Sequence, residues 1–421
     1  METHIPDDID LFRKKALQWA ASFETACYFD SNSYTDPYSA FDVLIAAGAT
    51  EELKENYGSA FRSLTKFVEN NTGWVIGFMS YDLKNETEVL SSSNPDYLDF
   101  PDLYFFKPKH LIRIKDGRAD ILSDTPNDIL KEIDDTVLNN RSFRFEGEIK
   151  SRFSPEEYKN TIRKLKGHIH RGDIYEANLC QEFYSENHTL DPLSAFEALN
   201  KVSPTPFATF FKYQRQYIIC ATPERFLSKR DTKVISQPIK GTVKRSSDKQ
   251  EDEKLKTGLR DNLKEQSENV MIVDLVRNDL TKCAIPGTVK VEELFGIYSF
   301  EQVHQMISTV VCQANPLLDN AEIIKSVFPM GSMTGAPKIS AMELIEKYER
   351  SKRGIFSGAI GYFSPDGDFD FNVVIRTILY NAVNNYLSFH VGSAITFASD
   401  EDKEYEECLL KSEAIRKILS V

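Results

Sequence analysis

Apolar and polar positions follow different rhythms along this chain, and the most regular stretch lies between Ser154 and Gly172. Ser154, Pro155 and Glu157 combine an N-cap hydroxyl, a proline at the first helical position and the reciprocal acid of a capping box, and Gly172 supplies a stop. The pattern predicts a helix over 155–171. Upstream, 74–81 (WVIGFMSY) and 103–114 are runs of aromatic and β-branched residues that predict strands. The polar, charged stretch 124–151 is the richest candidate for a seam between an N-terminal region, 1–140, and the remainder, 150–421.

Downstream, strand-like runs alternate with loops over 174–239, and a long helical pattern covers 251–280. A further helix is predicted after Gly335-Ala336-Pro337, then strands at 356–363, 369–380 and 386–396, and a last helix from about Asp402. Adjacent strands interspersed with helices predict an α+β fold rather than a regular βαβ alternation.

Composition adds that 421 residues, 41% hydrophobic and 27% charged, can bury a sizeable core. The net charge of −13 argues against nucleic-acid binding, which needs clustered Lys and Arg. The same field disfavours anions, so an acidic substrate would need local basic groups or a metal. The six cysteines are scattered, with no CxxC pair, which fits reduced thiols. The start of the chain is acidic and no apolar run reaches membrane-spanning length, so the expected location is the cytoplasm, without membrane contact.

Two acidic pairs carry candidate chemistry. Glu265 and Glu268 are three apart on one predicted helix, Glu404 and Glu407 on another, so each pair shares a helix face; Lys411 lies on the second face. If the faces converge, Mg²⁺ is the natural counter-ion, since it takes one or two carboxylates and fills its shell with water and substrate. Taken singly, each pair reads as a solvated helix surface. The loop Gly331-Ser332-Met333-Thr334-Gly335-Ala336-Pro337-Lys338 precedes a helix whose free N–H groups could face an anion, but it lacks the arrangement of a nucleotide P-loop. Lys240 stands in Pro238-Ile239-Lys240-Gly241-Thr242; as a nucleophile it would have to be a neutral amine.

A series of motifs in order resembles the chorismate-binding enzymes, the family that includes the large subunits of anthranilate synthase and aminodeoxychorismate synthase with the isochorismate and salicylate synthases. The resemblance rests on GDIYEANLCQEF from Gly172, TPERF from Thr222, QPIKGT from Gln237, ENVMIVDLVRNDL from Glu268, GSMTGAPK from Gly331, SGAIGYF from Ser357, IRT from Ile375 and EYEECLLK from Glu404. It is dense from about Ser154 onward and weaker in Gly77-Phe78-Met79-Ser80-Tyr81-Asp82-Leu83.

The resemblance implies an anthranilate-synthase-like four-layer α/β/β/α fold with two packed antiparallel sheets and the N-terminal region woven into the same body. It implies Mg²⁺ on Glu268 and Glu407, with Glu265 and Glu404 acting through water. Arg376 and Lys411 match groups that hold substrate carboxylates, Gly392, Ser393 and Ala394 a turn facing the ring carboxylate, and Thr242, Thr334 and Gly335 fall in substrate-binding motifs. Glu224 matches the general acid that protonates the departing C4 hydroxyl. The third residue of PIxGT is typically alanine in anthranilate synthases and lysine in aminodeoxychorismate synthases; here it is Lys240. The implied reaction is amidating: Lys240, taken as the amine, attacks C2 of chorismate, and ammonia then adds at C4 on a route to p-aminobenzoate and folate. A separate glutamine amidotransferase subunit would supply the ammonia.

This chain departs from the family's pattern at three places: Glu176, where amidating members have glutamine and isochorismate-type members lysine; Gln305, where histidine is usual; and Gly392-Ser393-Ala394, in place of a run of glycines. The alternatives are anthranilate synthase component I, disfavoured by Lys240 and by the lack of an LLES-type motif near Phe29-Asp30-Ser31, and a non-catalytic chorismate-binding protein.

Overall fold

Successive side chains of a strand point to opposite faces, and here both faces are buried. In Thr25–Asp30, Cys27 and Phe29 join one hydrophobic cluster while Ala26 and Tyr28 join a second. Phe211 and Phe210 divide in the same way in Phe207–Tyr213, as do Ile218 and Ile219 in Gln216–Thr222. Two-sided burial explains why these runs are almost continuously apolar rather than alternating.

The computed structural model describes residues 2–139 and 143–420, and its strand pairings are antiparallel. One sheet runs from Val43–Glu55 through Thr25–Asp30, Phe207–Tyr213, Gln216–Thr222, Thr377–Asn381 and Tyr386–Ile395 to Glu176–Ser185. The other runs from Val75–Met79 through Ala359–Phe363, Phe369–Val373, Arg225–Arg230 and Lys233–Gln237 to Val303–Gln313. Leu103–Lys115 pairs with both Val43–Glu55 and Val75–Met79 and so joins the two. The sheets pack face to face through contacts such as Phe78 on Phe211, with ring centres 5.3 Å apart.

Helices cover the outer faces. Ile9–Ala21, Pro155–Arg171 and Pro192–Val202 press Leu17, Ile162 and Phe196 onto the first sheet, while Leu263–Thr281 and Asn320–Val327 press Val273 and Ile324 onto the second. The architecture is α+β, in the order helix, sheet, sheet, helix. N-terminal strands lie inside both sheets: Thr25–Asp30 beside Phe207–Tyr213, and Val75–Met79 beside Ala359–Phe363. Residues 140–142, at the seam expected from the sequence, lie outside the described residues.

The helix expected over 155–171 is Pro155–Arg171, with both halves of its capping box formed and Gly172 left-handed at φ 81°. Three expectations need correction. The pattern over 251–280 is two helices, Lys249–Asp261 and Leu263–Thr281, because Asn262 turns extended and caps the second through the N–H groups of Lys264 and Glu265. The strand-like region 174–239 also contains the helix Pro192–Val202, started by Asp191 and by proline at its first position. The run 369–380 is two strands, Phe369–Val373 and Thr377–Asn381, parted where Arg376 takes φ 51°. The six cysteines are buried and free, and among the described residues no helix is long and apolar enough to cross a membrane.

Candidate active site

Lys240 lies on the short strand Ile239–Lys244, whose register against Val303–Gln313 slips between Ile239 and Thr242. The slip requires Gly241: its φ is 98°, and a Cβ there would come within 3.0 Å of Glu265 Oε2 and 3.3 Å of Met306. The turn aims Lys240 at carboxylates. Its Nζ donates to Glu176 Oε1 at 3.1 Å and lies 3.8 Å from Glu268 Oε2. Burial lowers the affinity of Nζ for its proton, but Glu176, Glu268 and Glu407 outweigh it and raise the pKa above the ordinary lysine value. These carboxylates thus favour the ammonium over the amine that the sequence reading expects.

The two acidic pairs come from helices that converge on Lys240. Glu268 is on Leu263–Thr281 and also meets Lys264 at 3.7 Å. Glu407 is on Glu401–Lys411, accepts from Lys411 at 2.7 Å, and has its pKa lowered, with burial opposed by Lys411, Lys240 and Lys264. Glu265 stands one turn before Glu268 and raises its pKa, adding to the effect of burial. Glu404 is buried one turn before Glu407 and makes no side-chain hydrogen bond or ion pair among the described residues. No three carboxylate, histidine or cysteine groups among the described residues are placed to hold a metal by themselves.

Glu224 sits at the corner after Gln216–Thr222, its N–H donating to Thr222 Oγ1 at 3.3 Å and its carbonyl accepting from Val373 N–H at 3.0 Å. Burial raises its carboxyl pKa to about 7, against the lowering effects of a Ser332 hydrogen bond and of Lys240, Arg376 and Lys411. A carboxylic acid protonated near neutrality is suited to giving a proton to a leaving group. Arg376 holds a left-handed conformation that non-glycine residues seldom adopt. Burial lowers its pKa and Glu224 raises it, and among the described residues its guanidinium makes no hydrogen bond or ion pair. A guanidinium with no protein partner among the described residues, beside a carboxyl whose pKa is raised to about 7, is a place for an anionic ligand.

Gly335 and Ala336 are not simply a helix start: they form a two-residue strand against Ala177 and Glu176. Thr334 is fully buried, and its hydroxyl donates to the carbonyls of Met330 (3.3 Å) and Gly331 (3.2 Å). Gly392, Ser393 and Ala394 are not the expected turn: they lie in the strand Tyr386–Ile395 and pair with Cys180, Leu179 and Asn178, and the Gly392 carbonyl accepts from Lys411 at 3.2 Å. Thr242 Oγ1 accepts from Gln305 Nε2 at 3.5 Å. Sequence reasoning missed two contacts here, Glu176 on Lys240 and Ser332 on Glu224. The first joins residues 64 apart in the chain, which no spacing rule detects.

The model of the family described as chorismate binding enzyme matches residues 8–417. Aminodeoxychorismate synthase component 1 of Escherichia coli (strain K12) is 37% identical over 277 residues, which cover 66% of this chain and 60% of that protein. A probable chloroplastic aminodeoxychorismate synthase of Oryza sativa subsp. japonica is 33% identical over 82% of this chain, a match that spans 43% of the rice protein. Among solved structures, anthranilate synthase component I from Streptococcus pneumoniae TIGR4 superposes with a TM-score of 0.80 at 25% identity, covering 92% of this chain and 93% of that one. With lysines, glutamates and an arginine of the motif series gathered in one cluster, and with a family match along nearly the whole length, this chain belongs to the chorismate-binding enzymes.

Proposed function

We propose that this chain is the component of an aminodeoxychorismate synthase that converts chorismate and ammonia to 4-amino-4-deoxychorismate, on the way to p-aminobenzoate and folate. The observation that carries the reading is Lys240 Nζ, set among carboxylates and 3.1 Å from Glu176, in a site where burial raises the pKa of the acid, Glu224, to about 7. Once Nζ has given up a proton, its electron pair attacks C2 of the ring, shifts the two ring double bonds and expels the C4 hydroxyl, which leaves as water with the proton of Glu224. Ammonia then adds at C4, the double bonds shift back, the C2–N bond breaks, and Glu224 recovers its proton from the new amine. Two easier displacements replace one difficult one. Arg376 and Lys411 supply the cations for the substrate's carboxylates.

Glu268 and Glu407 fit Mg²⁺: they are hard oxygen donors from two helices, the cations they meet among the described residues are lysines, and this ion commonly takes one or two carboxylates and completes its shell with water and substrate. Glu265 and Glu404 would act through water. Bound Mg²⁺ would supply positive charge to the ring carboxylate. A separate glutamine amidotransferase subunit would deliver ammonia, which agrees with the "component 1" in the name of the E. coli relative.

The test is incubation of purified protein with chorismate, Mg²⁺ and ammonium, with the product identified by mass. Aminodeoxychorismate, with its enolpyruvyl group retained, is expected. Anthranilate with released pyruvate would overturn the reading in favour of an anthranilate synthase.

A further inference from the structure

Glu176 opens the strand Glu176–Ser185, and its backbone is fixed on both sides. It pairs with Ala336, the neighbouring Tyr175 N–H donates to the Ala336 carbonyl at 2.7 Å, and Asn178 N–H donates to that of Thr334 at 2.9 Å. The side chain is 5% exposed, and among the described residues its carboxylate has one partner, Lys240 Nζ at 3.1 Å. The other carboxylates around Lys240 are differently engaged: Glu268 also faces Lys264, and Glu407 is 46% exposed and bonded to Lys411. Glu176 is therefore the acceptor on Lys240 that has no second cation and little water to share its charge.

We infer that Glu176 is a catalytic base, receiving the proton that Lys240 Nζ gives up as it bonds to carbon. The inference rests on the proposed lysine adduct. One proton passes from Nζ to Glu176 along the 3.1 Å hydrogen bond, and the electron pair it leaves forms the N–C2 bond while the C4–O bond breaks and Glu224 protonates the departing hydroxyl. When ammonia later displaces the lysine, the N–C2 pair returns to Nζ and the proton returns from Glu176. Glu176 and Glu224 thus form a base and an acid acting on the same step, one for the bond made at C2 and the other for the bond broken at C4. A glutamine at position 176 would keep the hydrogen-bond acceptor but could not hold the proton.

The experiment follows formation of the Lys240 adduct in single turnovers with chorismate and Mg²⁺ and without ammonia, by mass spectrometry of the Lys240 peptide. Glu176→Gln should form the adduct about 10²-fold or more slowly, within the range general bases contribute, while chorismate affinity measured by equilibrium dialysis stays within about threefold. Glu176→Ala, assayed with and without added formate, gives a second measure: formate should restore its adduct rate by about tenfold or more, since a small acid can occupy the vacated position and take the proton. An adduct rate in Glu176→Gln close to wild type, or no formate rescue, would overturn the role of Glu176 while leaving the lysine mechanism standing. Absence of any Lys240 adduct in wild type would overturn the proposed mechanism, and this inference with it.

Discussion

Gly335 passes so close to Glu176 that a Cβ on it would lie 2.2 Å from the Glu176 carbonyl oxygen and 2.8 Å from Ala341 Cβ. The approach registers the GSMTGAPK loop against the strand carrying the partner of Lys240. Gly335→Ala must push Glu176 away from Lys240 or shift the loop. Overpacking of this kind costs about 1–3 kcal/mol, so a lowered denaturation midpoint is expected, together with an activity loss of at least about tenfold. A fully active, equally stable variant would show that the contact relaxes freely.

Glu224 sets a pH dependence. Its carboxyl, raised by burial to about 7 from an ordinary 4.5, donates only while protonated. The step that expels the hydroxyl should slow as pH rises through about 7, and Glu224→Gln should lose activity across the range. Because the folded-state pKa is the higher one, the stability linked to Glu224 is complete below about pH 4.5 and is lost as pH rises through about 7, a change on the order of 3 kcal/mol. Glu224→Gln should flatten that part of the stability profile, as followed by urea denaturation from pH 4 to 8.

Lys240→Ala should lower aminodeoxychorismate formation by about 10²-fold or more, a barrier increase of at least about 2.7 kcal/mol, while chorismate still binds. Lys240→Arg should be no better, because the guanidinium keeps its proton. An alanine variant within about tenfold of wild type would instead favour direct attack by ammonia.

Chelation of Mg²⁺ should abolish turnover, and so should Glu268→Gln or Glu407→Gln. Glu265→Gln and Glu404→Gln should cost less, about 10–100-fold in metal affinity or activity, as groups acting through water commonly do. Magnesium titrations of activity for the four variants separate the two classes, and full turnover in excess chelator would refute the site.

With glutamine as the nitrogen source, turnover should require an added glutaminase subunit, whereas ammonium should suffice without one and work best where more NH₃ is present. Glutamine-driven turnover by the pure chain would reveal a second active site within it.

Local chemistry was legible without the fold. Ser154, Pro155, Glu157 and Gly172 define the ends of a helix because capping acts within one turn, and the chain settled there as its sequence predicts. The motif series singles out Lys240, Glu224, Glu268 and Glu407 from the sequence alone. The break at Asn262 is hidden because helix formers, Leu259 and Arg260 before it and Leu263, Lys264 and Glu265 after it, continue the pattern, and the Arg376 turn because a positive φ leaves little trace around an arginine. Only the tertiary structure sets the directions of the pKa shifts. Burial of Glu224 and the gathering of Glu176, Glu268 and Glu407 around Lys240 depend on strands and helices far apart in the chain, and desolvation and Coulomb energy follow distances in space rather than positions in sequence.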